Sequence, residues 1–208
     1  MKNIAVVFGG YSSEYDVSVK SAKFIYDNLK DNSDWNIYEI CISKKEKTVK
    51  FKERIFDLDY QNFSFEIDGF IIKPDAVFNI IHGDPGENGV LAEILEKNQI
   101  PQTGCDNYVS QLTFNKKKFI EFVDNLDIPC AKQILLKKKE MIDIEKILET
   151  IKLPCIVKPN NGGSSIGVSK VNYIDELENK IKIAFNEDNQ VLIETFLEGQ
   201  EVSVGVIN

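Results

Sequence analysis

Near its start the chain carries Ile4, Ala5, Val6, Val7 and Phe8, a continuous apolar run closed by Gly9 and Gly10. A short run of that kind predicts a strand buried on both faces. Val17, Ala22, Phe24, Ile25 and Leu29 then recur at helical spacing, so the opening reads as strand, glycine turn and helix. "WNIYEICIS" alternates like a second strand, and "TVKFKERIFDLD" with "FSFEIDGFIIKP" predicts an antiparallel excursion that turns at Asp68 and Gly69. "DAVFNIIHG" is a third buried strand that delivers His82 and Gly83 to its C-terminal end. "GVLAEILEKNQI" is an amphipathic helix with Leu91, Ile94 and Leu95 on one face. Strands alternating with helices predict a mostly parallel sheet, whose ligands bind beyond the carboxyl ends of its strands. Both glycine-rich turns, at Gly9–Gly10 and from Gly83, point to one edge.

The pattern changes after "IPQTGCD", which sets an expected domain boundary near residue 104. "NKKKFIEFVDNLDI" is a lysine-rich helix, Pro129 breaks the chain, and "AKQILL" reads as a strand. A helix over "MIDIEKILETI" leads to strands at "LPCIVKP" and "GVSKV", a helix at "IDELENKIKIAF", and strands at "QVLIETF" and "QEVSVGVI".

The chain has 208 residues, 43% hydrophobic and 28% charged, as expected of a folded globular protein. Its net charge of −8 lacks the basic footprint of a nucleic-acid partner. The apolar run near the N-terminus is too short for a signal-peptide core or a membrane span, which makes a cytoplasmic location and no membrane partner the expectation. Cys41, Cys105, Cys130 and Cys155 form no CxxC pair and share the chain with one histidine. A zinc site is therefore poorly supplied, and buried reduced thiols are expected.

The chemistry concentrates in a few loops. "VKPNNGGSSIGVSKV" joins two predicted strands, so it is neither a P-loop nor a dinucleotide fingerprint. Its Gly162, Gly163 and Gly167 allow close backbone approach to a ligand. The amides and the hydroxyls of Ser164 and Ser165 can donate to phosphate oxygens, with Lys158 adding positive charge. A plain mobile hairpin explains the same glycines. Glu194 and Glu201 flank a linker and can bond an adenine amine and ribose hydroxyls, or simply be surface carboxylates. Glu14 stands where a helix begins, where it or Ser13 can serve as a cap. "HGDPGENG" holds His82 among glycines, and a turn containing a satisfied histidine is the plainer reading.

Together these segments resemble D-alanine–D-alanine ligases of the ATP-grasp superfamily. "GGYSSEYDVS" is similar to that family's GGxSxExxVS, "HGDPGENG" to HGxxGExG, and "VKPNNGGSSIGVSKV" to VKPxxxGSSxGxxxV. "TGCDNYVSQLTFNKKKF" resembles the segment with an ATP-contacting lysine, and "IETFLEGQEVSVGV" the adenine-contacting linker. The resemblance implies an α/β fold. A parallel-sheet α/β substrate domain (1–104) would precede an α+β ATP-grasp subdomain (105–199), with 200–208 as the first strand of a C-terminal ATP-grasp domain that is mostly missing.

It also implies ATP-dependent joining of two D-alanines through an acyl phosphate, for peptidoglycan precursors. Glu14 and Ser164 would be catalytic, and Glu14, His82, Glu87 and Ser164 would bind the first D-alanine. Lys116, Lys158, Gly163, Ser164, Ser165, Gly167, Glu194, Leu197 and Glu201 would bind ATP. Family members use Mg2+ or Mn2+, whose ligands, like a catalytic arginine, are expected beyond Asn208, so no metal residue is assigned and little activity is expected of these residues alone. A homodimer through the first domain is also implied. A non-catalytic nucleotide-binding remnant and a D-alanine–D-lactate-type ligase stand as alternatives.

Overall fold

A computed structural model of the protein describes residues 1–205. They form two compact units, Met1–Phe119 with Gly162–Ser164, and Ile120–Asn161 with the chain from Ser165 onward.

The first unit is built on a five-stranded sheet in the order β4-β3-β2-β1-β7. Its strands are β1 (Lys2–Gly9), β2 (Trp35–Ile42), β3 (Lys47–Phe51), β4 (Arg54–Asp57) and β7 (Ala76–Asn79). β1 runs parallel to both β2 and β7, whereas β3 and β4 add on antiparallel. The small pair β5 (Phe65–Ile67) and β6 (Phe70–Ile72) turns at Asp68 and Gly69, both with positive φ, as expected of a two-residue hairpin turn.

The central strands are largely apolar because both faces are covered. Ala5, Val7, Tyr38, Ile40, Ile42 and Val77 enter one core with Leu91 and Leu95 of α2 (Val90–Lys97). Ile4, Val6, Phe8, Ile37 and Phe78 enter another with Ala22, Ile25 and Leu29 of α1 (Tyr15–Leu29). Alternate residues of each strand thus serve opposite faces. The buried stripe of α1 differs from the expected one: Ser18 and Ala22 are buried, while Val17 and Phe24 are 49% and 67% exposed. At 100° per residue, Phe24 lies well off the line joining Ala22, Ile25 and Leu29.

This unit extends past residue 104 to include α3 (Asn107–Phe114) and the start of α4 (Lys116–Asp124). Asp106 caps α3 by accepting from Val109 N at 2.7 Å, and Glu96 of α2 accepts from Asn107 N at 2.7 Å. A helix tethered in this way stays with the unit that tethers it.

The second unit is a four-stranded antiparallel sheet in the order β10-β9-β11-β8. It comprises β8 (Gln133–Lys137), β9 (Cys155–Pro159), β10 (Ser169–Val171) and β11 (Gln190–Thr195), with α5 (Ile144–Thr150) and α6 (Ile174–Ala184). Cys155, Val157, Val191 and Ile193 share a core with Ile147, Leu177 and Ile181. The period of two then turns Ile156, Lys158, Leu192 and Glu194 to the opposite face. The strand expected over Gln200–Ile207 is not formed among its described residues, and Val206–Asn208 lie outside them. An extended segment becomes a strand only when its backbone groups find a ladder partner.

All four cysteines are free, but burial varies: Cys155 is buried, Cys41 and Cys130 are half-buried, and Cys105 is exposed. Cys105 sits between Gly104 and the α3 cap, outside any apolar strand, which corrects the expectation of buried thiols. Burial raises the thiol pKa of Cys155, and burial chiefly raises that of Cys41, whose Sγ lies 3.6 Å from the Tyr15 hydroxyl. A raised pKa leaves less thiolate at a given pH. Brief alkylation of the folded chain at pH 8, read by peptide mass spectrometry, is therefore expected to label Cys105 before Cys41 and to leave Cys155 last.

Candidate functional site

β1 is the strand at which the sheet changes direction of growth: the chain passes through α1 to β2 on one side and later returns as β7 on the other. Such a switch point opens a crevice at the carboxyl ends of its strands. The β1–β7 register ends at Val7 opposite Asn79, followed by Ile80 N donating to Val7 O at 2.8 Å. The strands then separate. Gly10 N turns to Ile42 O and Tyr11 N to Asp84 O, both at 2.7 Å, tying the first glycine turn to the end of β2 and to the loop after β7.

Glu14 lies in this crevice and is only 4% exposed. It occupies the N-cap position of α1, yet its side chain makes no capping bond. The capping explanation therefore fails for Glu14. Its carboxylate instead accepts a short hydrogen bond from the Ser164 hydroxyl. Two glycines lie beside it: a Cβ on Gly83 or on Gly163 would stand 3.4 Å from one or the other of its oxygens, at ordinary van der Waals contact. Gly10 is held more tightly, because with φ of +102° a Cβ there would lie 2.8 Å from Ile81 and 3.0 Å from the Asp84 carbonyl.

His82 is half-buried at the rim of a cleft of about 950 Å³ within this unit, also lined by Phe24, Ile80, Glu87, Lys116 and Gly163. Glu87 is exposed, and one of its oxygens accepts from Gly83 N at 2.7 Å, so it shapes the turn that presents His82. Lys116 donates to the Gly162 carbonyl at 2.6 Å. Glu14, His82, Glu87, Lys116, Gly163 and Ser164 are thus brought together in the first unit.

In the second unit, β9 and β11 pair Lys158 with Leu192 and Glu194 with Ile156. The two charged side chains are diagonal neighbours on one face. Lys158 Nζ donates to Glu194 at 2.5 Å, with the side chains 18% and 14% exposed. The glycine-rich loop joins β9 to β10 as the expected hairpin. Its root is fixed: Asn160 Nδ2 bonds Gln190 at 2.8 Å, and Asn161 bonds Asp188 through backbone N and Nδ2 at 2.7 and 2.8 Å. Gly167 is required by the fold itself, since at φ +72° a Cβ would meet Pro159 at 2.9 Å. Ser164 and Ser165 both hold left-handed backbone, at φ +48° and +56°, a conformation that concentrates at functional loops. Leu197 and Glu201 are exposed and lie outside regular structure.

Ser12, Ser18 and Asp188 escaped the sequence reading. Ser18 had a visible signal, a polar residue in register with Ala22, Ile25 and Leu29 on the buried stripe of α1. Asp188 had none, because its partner is a loop distant in sequence. Among the described residues, no three His, Cys, Asp or Glu side chains are grouped to hold a metal ion, and no helix is long and apolar enough to cross a membrane. None of the described residues is therefore assigned to a divalent metal, and no chemical step is routed through one.

Comparison with known proteins identifies the family. Residues 3–105 match the family profile described as D-ala D-ala ligase N-terminus, and residues 122–208 match D-ala D-ala ligase C-terminus. A D-alanine--D-alanine ligase of Flavobacterium psychrophilum is 46% identical over 99% of the chain and 62% of its own length. That of Flavobacterium johnsoniae is 44% identical over the whole chain and 64% of its own length. The chain thus spans less than two thirds of these relatives. Among solved structures, D-alanyl-alanine synthetase A of Vibrio cholerae superposes with a TM-score of 0.80 at 29% identity, over 95% of this chain and 60% of that one. The VanG D-Ala:D-Ser ligase of Enterococcus faecalis gives 0.79 at 31% identity, over 95% and 63%.

The Gly10 geometry makes a measurable difference. Gly69 has φ +85° and open space where a Cβ would stand, so Gly69→Ala meets only the left-handed backbone penalty of about 1–2 kcal/mol. Gly10→Ala adds the collisions with Ile81 and Asp84. Urea unfolding is expected to show the larger loss for Gly10→Ala.

Proposed function

Because the chain belongs to the D-alanine–D-alanine ligase family, we propose that it supplies the first-substrate site and part of the ATP site of a ligase that joins two D-alanines. Residues 1–104 would hold the amino acid, 105–199 would form the central nucleotide-binding subdomain, and 200–208 would belong to a following domain. The observation that carries this reading is the buried Glu14 carboxylate accepting from Ser164 of the glycine-rich loop.

A carboxylate so placed pairs with the ammonium of an amino acid and leaves the substrate carboxylate free to react. His82, with Glu87 shaping its turn, lines the same pocket. The substrate carboxylate oxygen attacks the γ-phosphorus of ATP, forming an acyl phosphate as ADP leaves. The amine of the second amino acid then attacks the acyl carbon, forming the C–N bond as phosphate leaves.

Lys116 and Lys158 contact the phosphates, and the amides of Gly163, Ser164, Ser165 and Gly167 add donors. Glu194 accepts from the adenine amine, the Leu197 backbone contacts the ring, and Glu201 takes the ribose hydroxyls. Each lysine now bonds a protein acceptor, Gly162 O or Glu194, which these donors would exchange for nucleotide. Family members use Mg2+ or Mn2+ to bridge phosphates, and that role falls to no residue described here. The setting is cytoplasmic, with peptidoglycan precursors as the destination of the product, and the first unit is the face for a homodimer. Calorimetric titration of the chain with D-alanine and with ATP tests the reading. Binding of both supports it, whereas binding of ATP without D-alanine favours the non-catalytic nucleotide-binding alternative.

The nucleotide half is testable by itself. Removing one charge-assisted contact of about 1.5–3 kcal/mol corresponds to a loss of roughly ten- to a hundredfold. Lys158→Ala is expected to weaken ATP binding by that amount in a fluorescent-nucleotide competition assay. Glu194→Gln is expected to narrow the preference for ATP over GTP, since guanine presents an acceptor where adenine presents an amine. Equal affinity of the unaltered chain for ATP and GTP would refute the adenine contact.

A further inference from the structure

Two serines of "GGYSSEYDVS" hold together what the separating strands leave apart. Beyond Val7 and Ile80, β1 and β7 no longer form a ladder, and the backbone groups of Gly9, Glu14, Ile80 and His82 need other partners. A hydroxyl is the smallest side-chain group that donates one bond while accepting another. Ser18, 0% exposed, accepts from Gly9 N at 2.9 Å and donates to Ile80 O at 2.7 Å. Ser12 accepts from Glu14 N at 3.2 Å and donates to His82 O at 2.9 Å. The two serines act as successive rungs across the crevice, replacing the missing ladder.

The Ser12 rung has little slack. A Cβ on Gly83 would meet both Cβ and Oγ of Ser12 at 2.9 Å, so the loop after β7 is pressed against this side chain. One end of the rung is the backbone of Glu14 and the other that of His82. Any change in its length moves these two residues relative to each other.

We propose that Ser12 and Ser18 are positioning residues, whose hydroxyl bridges fix the spacing between the Glu14 carboxylate and His82. This rests on the assignment of those two groups to D-alanine. Neither serine lines the cleft beside His82. Ser12 acts on the site directly, and Ser18 holds the strand ends on which the Ser12 rung is built.

His82 is the chain's only histidine, so its imidazole resonances report the site without assignment ambiguity. Ser12→Ala, Ser12→Cys and Ser12→Thr would be compared with the unaltered chain by NMR, and by calorimetric titration with D-alanine and with ATP. Ser12→Ala and Ser12→Cys are expected to shift the His82 resonances and to weaken D-alanine binding roughly tenfold or more, with ATP affinity unchanged. Ser12→Thr keeps the hydroxyl but adds a methyl beside Gly83, and is expected to change the resonances and the D-alanine affinity less than Ser12→Ala does. Unchanged resonances and D-alanine affinity in the alanine and cysteine variants would overturn the proposal, as would a parallel loss of D-alanine and ATP binding. If the unaltered chain does not bind D-alanine, the substrate reading fails, and the His82 resonances alone decide whether the bridge sets the site. Should Ser12→Ala fail to fold, Ser12→Cys carries the comparison. Unfolding of that variant too would make Ser12 a folding residue and overturn the positioning role.

Discussion

Burying a carboxylate is the constraint around which the first unit is arranged. Glu14 is 4% exposed, and a charge removed from water must be met by donors or by an opposite charge. The Ser164 hydroxyl provides one donor. An amino-acid ammonium would supply the compensating cation, which is why the burial reads as preparation for a ligand rather than as stabilisation of the fold. A buried charge kept for stability alone is a poor device, since apolar packing of similar volume usually does as well.

The surrounding geometry follows from that requirement. Gly83 and Gly163 bring backbone up beside the carboxylate. Parallel β1 and β7 separate at their carboxyl ends, which creates the space, and the bonds from Gly10 and Tyr11 to Ile42 and Asp84 keep it from widening. In the second unit a comparable logic applies to charge of both signs. Lys158 and Glu194 neutralise each other on the sheet face opposite α5 and α6, and either would reach a nucleotide only by giving up that bond.

Much of this was legible in the sequence because strand burial and glycine punctuation are local properties. The apolar run Ile4–Phe8, the Asp68–Gly69 turn and the hairpin across Gly162–Gly167 each followed from short-range pattern. Glu14 was legible only as a helix start. Nothing local distinguishes a capping glutamate from a buried one, and the partner that decides between them is 150 positions away. Val17 and Phe24 misled because apolar residues near helical spacing are not all on one stripe. The change in composition near residue 104 does not register the hydrogen bond from Asn107 N to Glu96 of α2, which holds α3 to the first unit. The anchoring of the loop by Asp188 depends on tertiary structure alone.

The substrate site stands or falls with the charge of Glu14 as the receptor for an ammonium. Calorimetric titration of D-alanine into the chain and into its Glu14→Gln variant tests this, because the amide keeps the shape, removes the charge and leaves one oxygen to accept from Ser164. Loss of roughly tenfold or more in D-alanine affinity, with the fold unchanged by circular dichroism, is the predicted result. Binding of D-alanine by Glu14→Gln as tightly as by the unaltered chain would contradict it.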